Sequence, residues 1–373
     1  MKEIMDEIDN RNNDNTSNRN DVAPALIAVH PFHLSVAVAI ASELRVFDLK
    51  GNRSVTLEDD SGGSLHHDLI RAIQFGANGK LFVSAGDDKL VKIWKTDSWH
   101  CMNTVNSEKR VSAVAISNDG HYVCFADKFG VVYVVDLLGL DEDKSLINKK
   151  ATPLLAHYCS IITSLEFSPD GKFIISADRD YKIRVTVFPE KPLAGAHEIQ
   201  SFCLGHTEFV SCLAFVYGPD YPRGYLVSGC GDSTFHLYAQ FQMVHGTSIA
   251  VAVQGLPSEF LWMVSGVSSL CGVGSPSLVG VRVLSLSKKF ATDTTDEPMV
   301  LEDREIPGGE KLLEKLQGSV SIEEKLFPVA AGAMKTAMHN LFTKKQYPAE
   351  NREFRKRGRN DRKIKQLQHG CCS

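Results

Sequence analysis

Three cations fall within one short segment of this 373-residue chain. Residues 178–185 read DRDYKIRV and bring Arg179, Lys182 and Arg184 together. Arg179 belongs to a turn, where an exposed side chain can reach a partner. Lys182 and Arg184 alternate with Ile183 and Val185, so they point outward from a strand whose apolar residues point inward. Guanidinium groups pair with carboxylates bidentately, which lysine cannot do. The cluster therefore suits carboxylates on another protein. In the matching stretches described below, Arg184 corresponds to Lys92 and His236, so polar residues are usual at its position. Arg179 corresponds to Asp87 and Gly231, which makes its positive charge distinctive. A second basic element closes the chain. Residues 344–365 hold ten Lys or Arg against three acids. Arg355, Lys356, Arg357, Arg359 and Lys363 lie within it. Such a tail suits phosphate backbones, nuclear import, or both.

The rest of the chain withholds catalytic signatures. It has no phosphate loop of the G-x-x-x-x-G-K-[ST] type, no H-E-x-x-H zinc helix and no G-x-S-x-G elbow. The G-x-G pieces at 229–231 and 272–274 lack the third glycine of a dinucleotide site and read as turn glycines. Nine cysteines form no C-x-x-C pair, so a zinc ribbon or thioredoxin-type site has no support, and free thiols are expected. The formal net charge is −4 with 43% hydrophobic residues, enough for a sizeable core. The acidic start MKEIMDEIDN carries no apolar run, and no stretch of 18 or more apolar residues occurs. Neither a secretory signal nor a membrane span is expected.

The elements that position the cations come from a repeat. Val-, Ile- and aromatic-rich runs bounded by Gly, Asp and Ser recur from about 25 to 287 and read as strands and tight turns. SAGDDKLVKIW (84–94), SADRDYKIRVT (176–186) and SGCGDSTFHLY (228–238) align without gaps, and FADKFGVVYVV (125–135) fits more loosely. Ahead of three of them stand His66, His157 and His206, each followed by an alternating strand and a Gly turn. Asn78-Gly79, Asp119-Gly120 and Asp170-Gly171 are hairpin signals. A period near 40–45 residues is that of a four-stranded propeller blade. Four regions follow: an acidic disordered tail (1–22), a propeller (23–290), a linker with amphipathic helices (291–343) and a basic disordered tail (344–373). After Tyr238 the pattern weakens. Residues 239–290 hold little more than one blade, which leaves open six blades or a seven-bladed ring lacking one. From about 309 the periodicity becomes helical, first in EKLLEKLQG; beyond Pro328, Ala330, Met334, Ala337, Met338 and Leu341 fall on one helical face, which fits a helix packed on the propeller or one that binds a partner.

These marks resemble the WD-repeat β-propeller, an all-β fold. The resemblance implies that His66, Ser84, Asp88 and Trp94 form one blade's internal hydrogen-bond network. His206, Ser228, Asp232 and the residue at Tyr238 would form another, and Asp180 would be the turn acid of a third. These side chains are thus expected to be structural, with no catalytic residues and no metal.

A narrower resemblance rests on SADRDYKIRVTVFP (176–189), IQSFCLGHTEFVSCLAF (199–215), HPFHLSVAVAIASELRVFDL near the start, the acidic N-terminal arm and the basic C-terminus. Together they resemble the WD-repeat, non-catalytic subunit of the eukaryotic tRNA (guanine-N7)-methyltransferase. The resemblance implies a heterodimer with a catalytic subunit that binds S-adenosylmethionine, this chain itself holding no cofactor. It further implies docking through Arg179, Lys182 and Arg184, help in positioning tRNA, tRNA contact through the basic tail and a nuclear location. The rival expectation is a general WD-repeat scaffold or ubiquitin-ligase substrate receptor. Such receptors often carry Trp-Asp-x-Arg, whereas Trp94 is followed by Lys95-Thr96-Asp97. An enzyme built on the propeller is a third reading, supported only by the general versatility of folds.

Overall fold

β-Branched and aromatic runs, broken by turns that need a positive φ, fold into antiparallel meanders. The computed structural model describes residues 23–59, 65–138, 150–157, 160–218, 221–231, 235–239, 242–244, 260–267, 278–285, 299–317 and 332. The first sheet contains β1 (Leu26–Val29), β2 (Ser35–Ile40), β3 (Glu43–Asp48) and β4 (Arg53–Val55). The second contains β5 (Ile70–Gly76), β6 (Leu81–Gly86), β7 (Leu90–Lys95) and β8 (Cys101–Asn106). The third contains β9 (Val111–Ile116), β10 (Tyr122–Asp127), β11 (Val131–Asp136) and β12 (Thr152–Ala156). The fourth contains β13 (Ile162–Phe167), β14 (Phe173–Asp178), β15 (Ile183–Val187) and β16 (Ile199–Cys203). The fifth contains β17 (Val210–Gly218), β18 (Tyr221–Cys230), β19 (Phe235–Ala239) and β20 (Gln242–Val244). A sixth, three-stranded sheet contains β21 (Phe260–Val267), β22 (Leu278–Ser285) and β23 (Met299–Val300). Sheet structure thus runs past the expected boundary at residue 290.

The hairpin between β5 and β6 shows why its turn sequence matters. Asn78 has φ 55° and Gly79 φ 83°, and a Cβ on Gly79 would lie 2.2 Å from His30 Nε2. Only glycine meets both demands.

From the first sheet to the fifth, the first strand of each packs beside that of the next. β1 meets β5, β5 meets β9, β9 meets β13 and β13 meets β17, while β21 returns to β1. Apolar clusters cement these neighbours. Phe82, Trp94 and Trp99 join the second sheet to Ala37, Ala39 and Val46 of the first. Val123 and Phe125 of the third sheet meet Val83 and Ile93 of the second. Ile175, Ile183, Val185 and Cys203 of the fourth meet Val210, Leu213 and Tyr238 of the fifth. The helix α1 (Gly309–Gln317) buries Leu312, Leu313 and Leu316 against Phe47, Val281 and Val283. At about 2 kcal/mol per buried leucine, this apolar face fixes the helix across the sixth and first sheets. Arg45 Nη1 donates to the Leu316 carbonyl at 3.0 Å and satisfies one of its orphan acceptors. The helical face of Ala330, Met334, Ala337, Met338 and Leu341 lies outside the described residues.

Two first strands also meet at the ring's centre. Gln74 Nε2 of β5 donates to Glu166 Oε1 of β13 at 2.9 Å, linking the second and fourth sheets past the third. Burial drives the Glu166 carboxyl up to about 8, against the hydrogen bonds from Gln74 and the Phe167 amide.

The blade network is complete in the second sheet. Trp94 Nε1, which can only donate, reaches Ser84 Oγ at 3.1 Å. That leaves the serine hydroxyl to donate to His66 Nε2 at 2.9 Å. His66 Nδ1–H then faces Asp88 Oδ2 at 2.7 Å. Burial pushes the Asp88 carboxyl up, but His66 and the Leu90 and His67 amides overcome it and hold it below the usual range. In the fifth sheet, His206 Nε2 bonds Ser228 Oγ at 2.6 Å. Burial pushes the Tyr238 phenol up to about 12, opposed by its hydrogen bond to Ser228. Asp232, expected in this network, lies outside the described residues.

The fourth sheet corrects one assignment. Its histidine, His157, bonds Ser176 Oγ through Nε2 at 2.7 Å and Asp178 Oδ2 through Nδ1 at 2.9 Å. Asp178 therefore does what Asp180 was expected to do. The acid has moved to the end of β14, and its other oxygen caps the turn. Asp127 caps the corresponding turn of the third sheet, with Oδ1 accepting from the Phe129 and Val131 amides at 2.9 and 3.0 Å. Asp178→Ala is accordingly expected to cost about 2–3 kcal/mol, since it orphans a buried imidazole N–H. Asp180→Ala is expected to cost less than about 1 kcal/mol. Urea unfolding of the two variants checks this; equal losses would restore Asp180 to the network.

Candidate partner interface

The turn between β14 and β15 is built by one carboxylate. Asp178 Oδ1 accepts from the Asp180 amide at 2.8 Å and the Lys182 amide at 3.1 Å. Backbone bonds run from the Asp178 amide to the Lys182 carbonyl and from the Arg179 amide to the Ile161 carbonyl, both 2.9 Å. Tyr181 takes φ 70° at the turn's tip. Burial raises the Asp178 carboxyl, but hydrogen bonds from His157 and the turn amides prevail and keep it below the ordinary range. The network that rigidifies the blade thus also clamps the turn that displays the cations.

The three predicted cations are brought to one sheet but are not equivalent. Ile183 and Val185 are fully buried towards the fifth sheet, as their alternation requires. Lys182 is exposed, while Arg179 and Arg184 are half-buried. Arg184 lies opposite Ser176 in the register, and its Nη1 donates to the Ala156 carbonyl of β12 at 3.1 Å. It therefore ties the fourth sheet to the third. Burial draws its pKa down, and Asp178 partly restores it. The same register position holds Lys92, buried and paired with Asp59, and His236, stacked on His206 at 4.1 Å. A cationic or imidazole group at this position is a recurrent feature of the blades. Arg179 differs: its counterpart Asp87 is an acid held by Arg71 at 2.6 Å and Arg110 at 3.5 Å. The Nε atoms of Arg179 and Arg184 have no hydrogen-bond partner among the described residues. Arg355, Lys356, Arg357, Arg359 and Lys363 lie outside those residues.

Three structural residues lie outside the sequence expectations: Asp178, Gln74 and Glu166. The paired Ala-Asp of FADKF and SADRD marks Asp178 in the sequence. Glu166 and Gln74, 92 residues apart, gave no local signal. Among the described residues no group of three or more His, Cys, Asp or Glu is placed to hold a metal.

Radial four-stranded meanders, packed through their first strands and locked by a histidine–serine–aspartate network, define the molecule as a WD-repeat β-propeller. A family model described as the tRNA methyltransferase TRM82 WD40 domain matches residues 48–157 and 140–307. The chain belongs to that family. Among curated relatives, the Dictyostelium discoideum protein is 32% identical over 237 residues, 60% of this chain and 48% of its own length. The Mus musculus protein is 35% identical over 181 residues, 48% of this chain and 40% of its own. The Homo sapiens protein is 36% identical over 169 residues, 45% of this chain and 37% of its own. All three are named tRNA (guanine-N(7)-)-methyltransferase non-catalytic subunit, wdr4 or WDR4. The chain spans about half or less of the length of these relatives.

Proposed function

We propose that this chain is the non-catalytic subunit of a tRNA (guanine-N7)-methyltransferase. It binds and stabilises a separate catalytic subunit and helps to position tRNA for methylation of a variable-loop guanine. The observation that carries the reading is the Asp178-clamped turn presenting Arg179 and Lys182 on a blade of a family whose relatives bear that name. Arg179 is half-buried, and a guanidinium on a turn is suited to pairing with a carboxylate. S-adenosylmethionine would belong to the catalytic subunit, and this chain would perform no methyl transfer alone. The basic tail would add salt-sensitive, sequence-independent affinity for tRNA phosphates and direct the chain to the nucleus.

Co-expression with the catalytic subunit and purification on a tag carried by this chain tests the reading. A one-to-one complex is expected, and recovery of this chain alone would refute it. Deleting residues 344–373 is expected to leave assembly intact while weakening tRNA binding and flattening its salt dependence. Unchanged tRNA affinity would remove tRNA contact from the tail.

A further inference from the structure

Among the described residues, nine large apolar side chains are exposed, and five of them lie between residues 181 and 204 of one blade. Isolated surface apolar residues need no explanation, but a concentration of them does. Phe202 is 48% exposed, Leu204 62% and Tyr181 46%. Phe202 lies on β16, the outermost strand of the fourth sheet, directly opposite Arg184 in the register. Leu204 follows Cys203, which is itself paired with Ile183 at the start of β15. The apolar side chains therefore adjoin the turn that carries Arg179 and Lys182. The outer strands β8 and β12 of the second and third sheets expose no large apolar side chain among the described residues. The inward side of β16 is already satisfied, because Cys203 is buried with Ile183 and Val185.

We infer that Phe202 of β16 and Leu204 just beyond its end form the apolar half of the docking surface. The partner is a protein segment that sets carboxylates over Arg179 and Lys182 and an apolar side chain against Phe202 and Leu204. This rests on the docking reading above and adds the partner's chemistry. Aromatic and arginine side chains side by side are the composition of an interface core, with lysine at its rim. The cations choose the partner and the apolar strand slows its release.

The test uses the full chain with the catalytic subunit and compares two double variants. Phe202→Ser/Leu204→Ser is expected to weaken binding by about tenfold or more, mainly through faster dissociation, and to leave its salt dependence unchanged. Phe202→Leu should retain most of the affinity. Because these side chains are about half exposed, the melting temperature of the free chain should stay near the parent's, which separates docking from folding. Arg179→Glu/Lys182→Glu is the companion. If it abolishes binding while the serine variant binds like the parent, the apolar half is overturned and the docking reading stands. If charge reversal leaves binding intact, the docking reading fails and the inference with it. A parent chain that self-associates in sedimentation, and becomes monomeric with the serine substitutions, would assign the strand to a second copy and overturn the inference.

Discussion

Exchanging Arg179 and Lys182 together for glutamate is expected to reduce affinity for the catalytic subunit by a hundredfold or more. Each change removes an attraction and places a negative charge against a partner's carboxylate, and like-charge contacts in an interface cost several kcal/mol. Every 1.4 kcal/mol is about tenfold in affinity, so two such contacts exceed the expected loss comfortably. The fold should not suffer, because the turn is held by backbone amides on Asp178 and not by these side chains. Asp178→Ala should also weaken binding, by freeing the turn, with Arg179 and Lys182 still present. Titration calorimetry with the catalytic subunit measures both effects, and circular dichroism checks the fold. Binding by the charge-reversed chain within about threefold of the parent would contradict the assignment.

The second large effect is on stability as a function of pH. Glu166 has an ordinary value of 4.5 and is driven by burial to about 8 in the folded chain. The folded state therefore holds this proton more tightly than the unfolded state. The contribution to stability is fully present below pH 4.5 and is lost as pH rises towards 8. The geometry agrees with a protonated acid. Gln74 Nε2 already donates to Glu166 Oε1, while Gln74 Oε1 has no hydrogen-bond partner among the described residues. A protonated carboxyl can donate back to it. Glu166 is half-buried and meets some solvent, so about 1–2 kcal/mol of the full linkage is expected across this window, at 1.36 kcal/mol per unit. Glu166→Gln carries no titratable proton, should flatten that slope and should stabilise the chain at pH 8. Urea denaturation at several pH values reads the difference, and parallel pH profiles for parent and variant would refute it.

Much of the fold is legible because its rules are local. Strand alternation, Asn-Gly and Asp-Gly turns and the histidine–serine spacing each act within one blade, and they specify the His66–Ser84–Asp88–Trp94 network without knowledge of its neighbours. Legibility ends where one position has two geometric solutions. An acid at the end of β14 or two residues later can reach the same imidazole, and a gapless alignment chose Asp180 over Asp178. It also ends where the chain meets itself over long distances. The Gln74–Glu166 contact joins blades on either side of a third, and no period predicts it. Arg184 shows a third limit. Its alternation with Ile183 and Val185 is local, yet only the position of the Ala156 carbonyl shows that part of its donor capacity holds two blades together. The same long-range packing places β23 in the sixth sheet, beyond the residue where the strand pattern fades.

This propeller is proposed to serve methylation of tRNA by holding another subunit. The most direct measurement is N7-methylguanine formation on a tRNA transcript by four preparations: this chain, the catalytic subunit, their co-expressed complex, and the complex carrying Arg179→Glu/Lys182→Glu. No activity is expected from this chain, full activity from the parent complex, and a fall to the level of the isolated catalytic subunit in the charge-reversed sample. Methyl transfer by this chain alone, or equal activity in the catalytic subunit with and without it, would contradict that role.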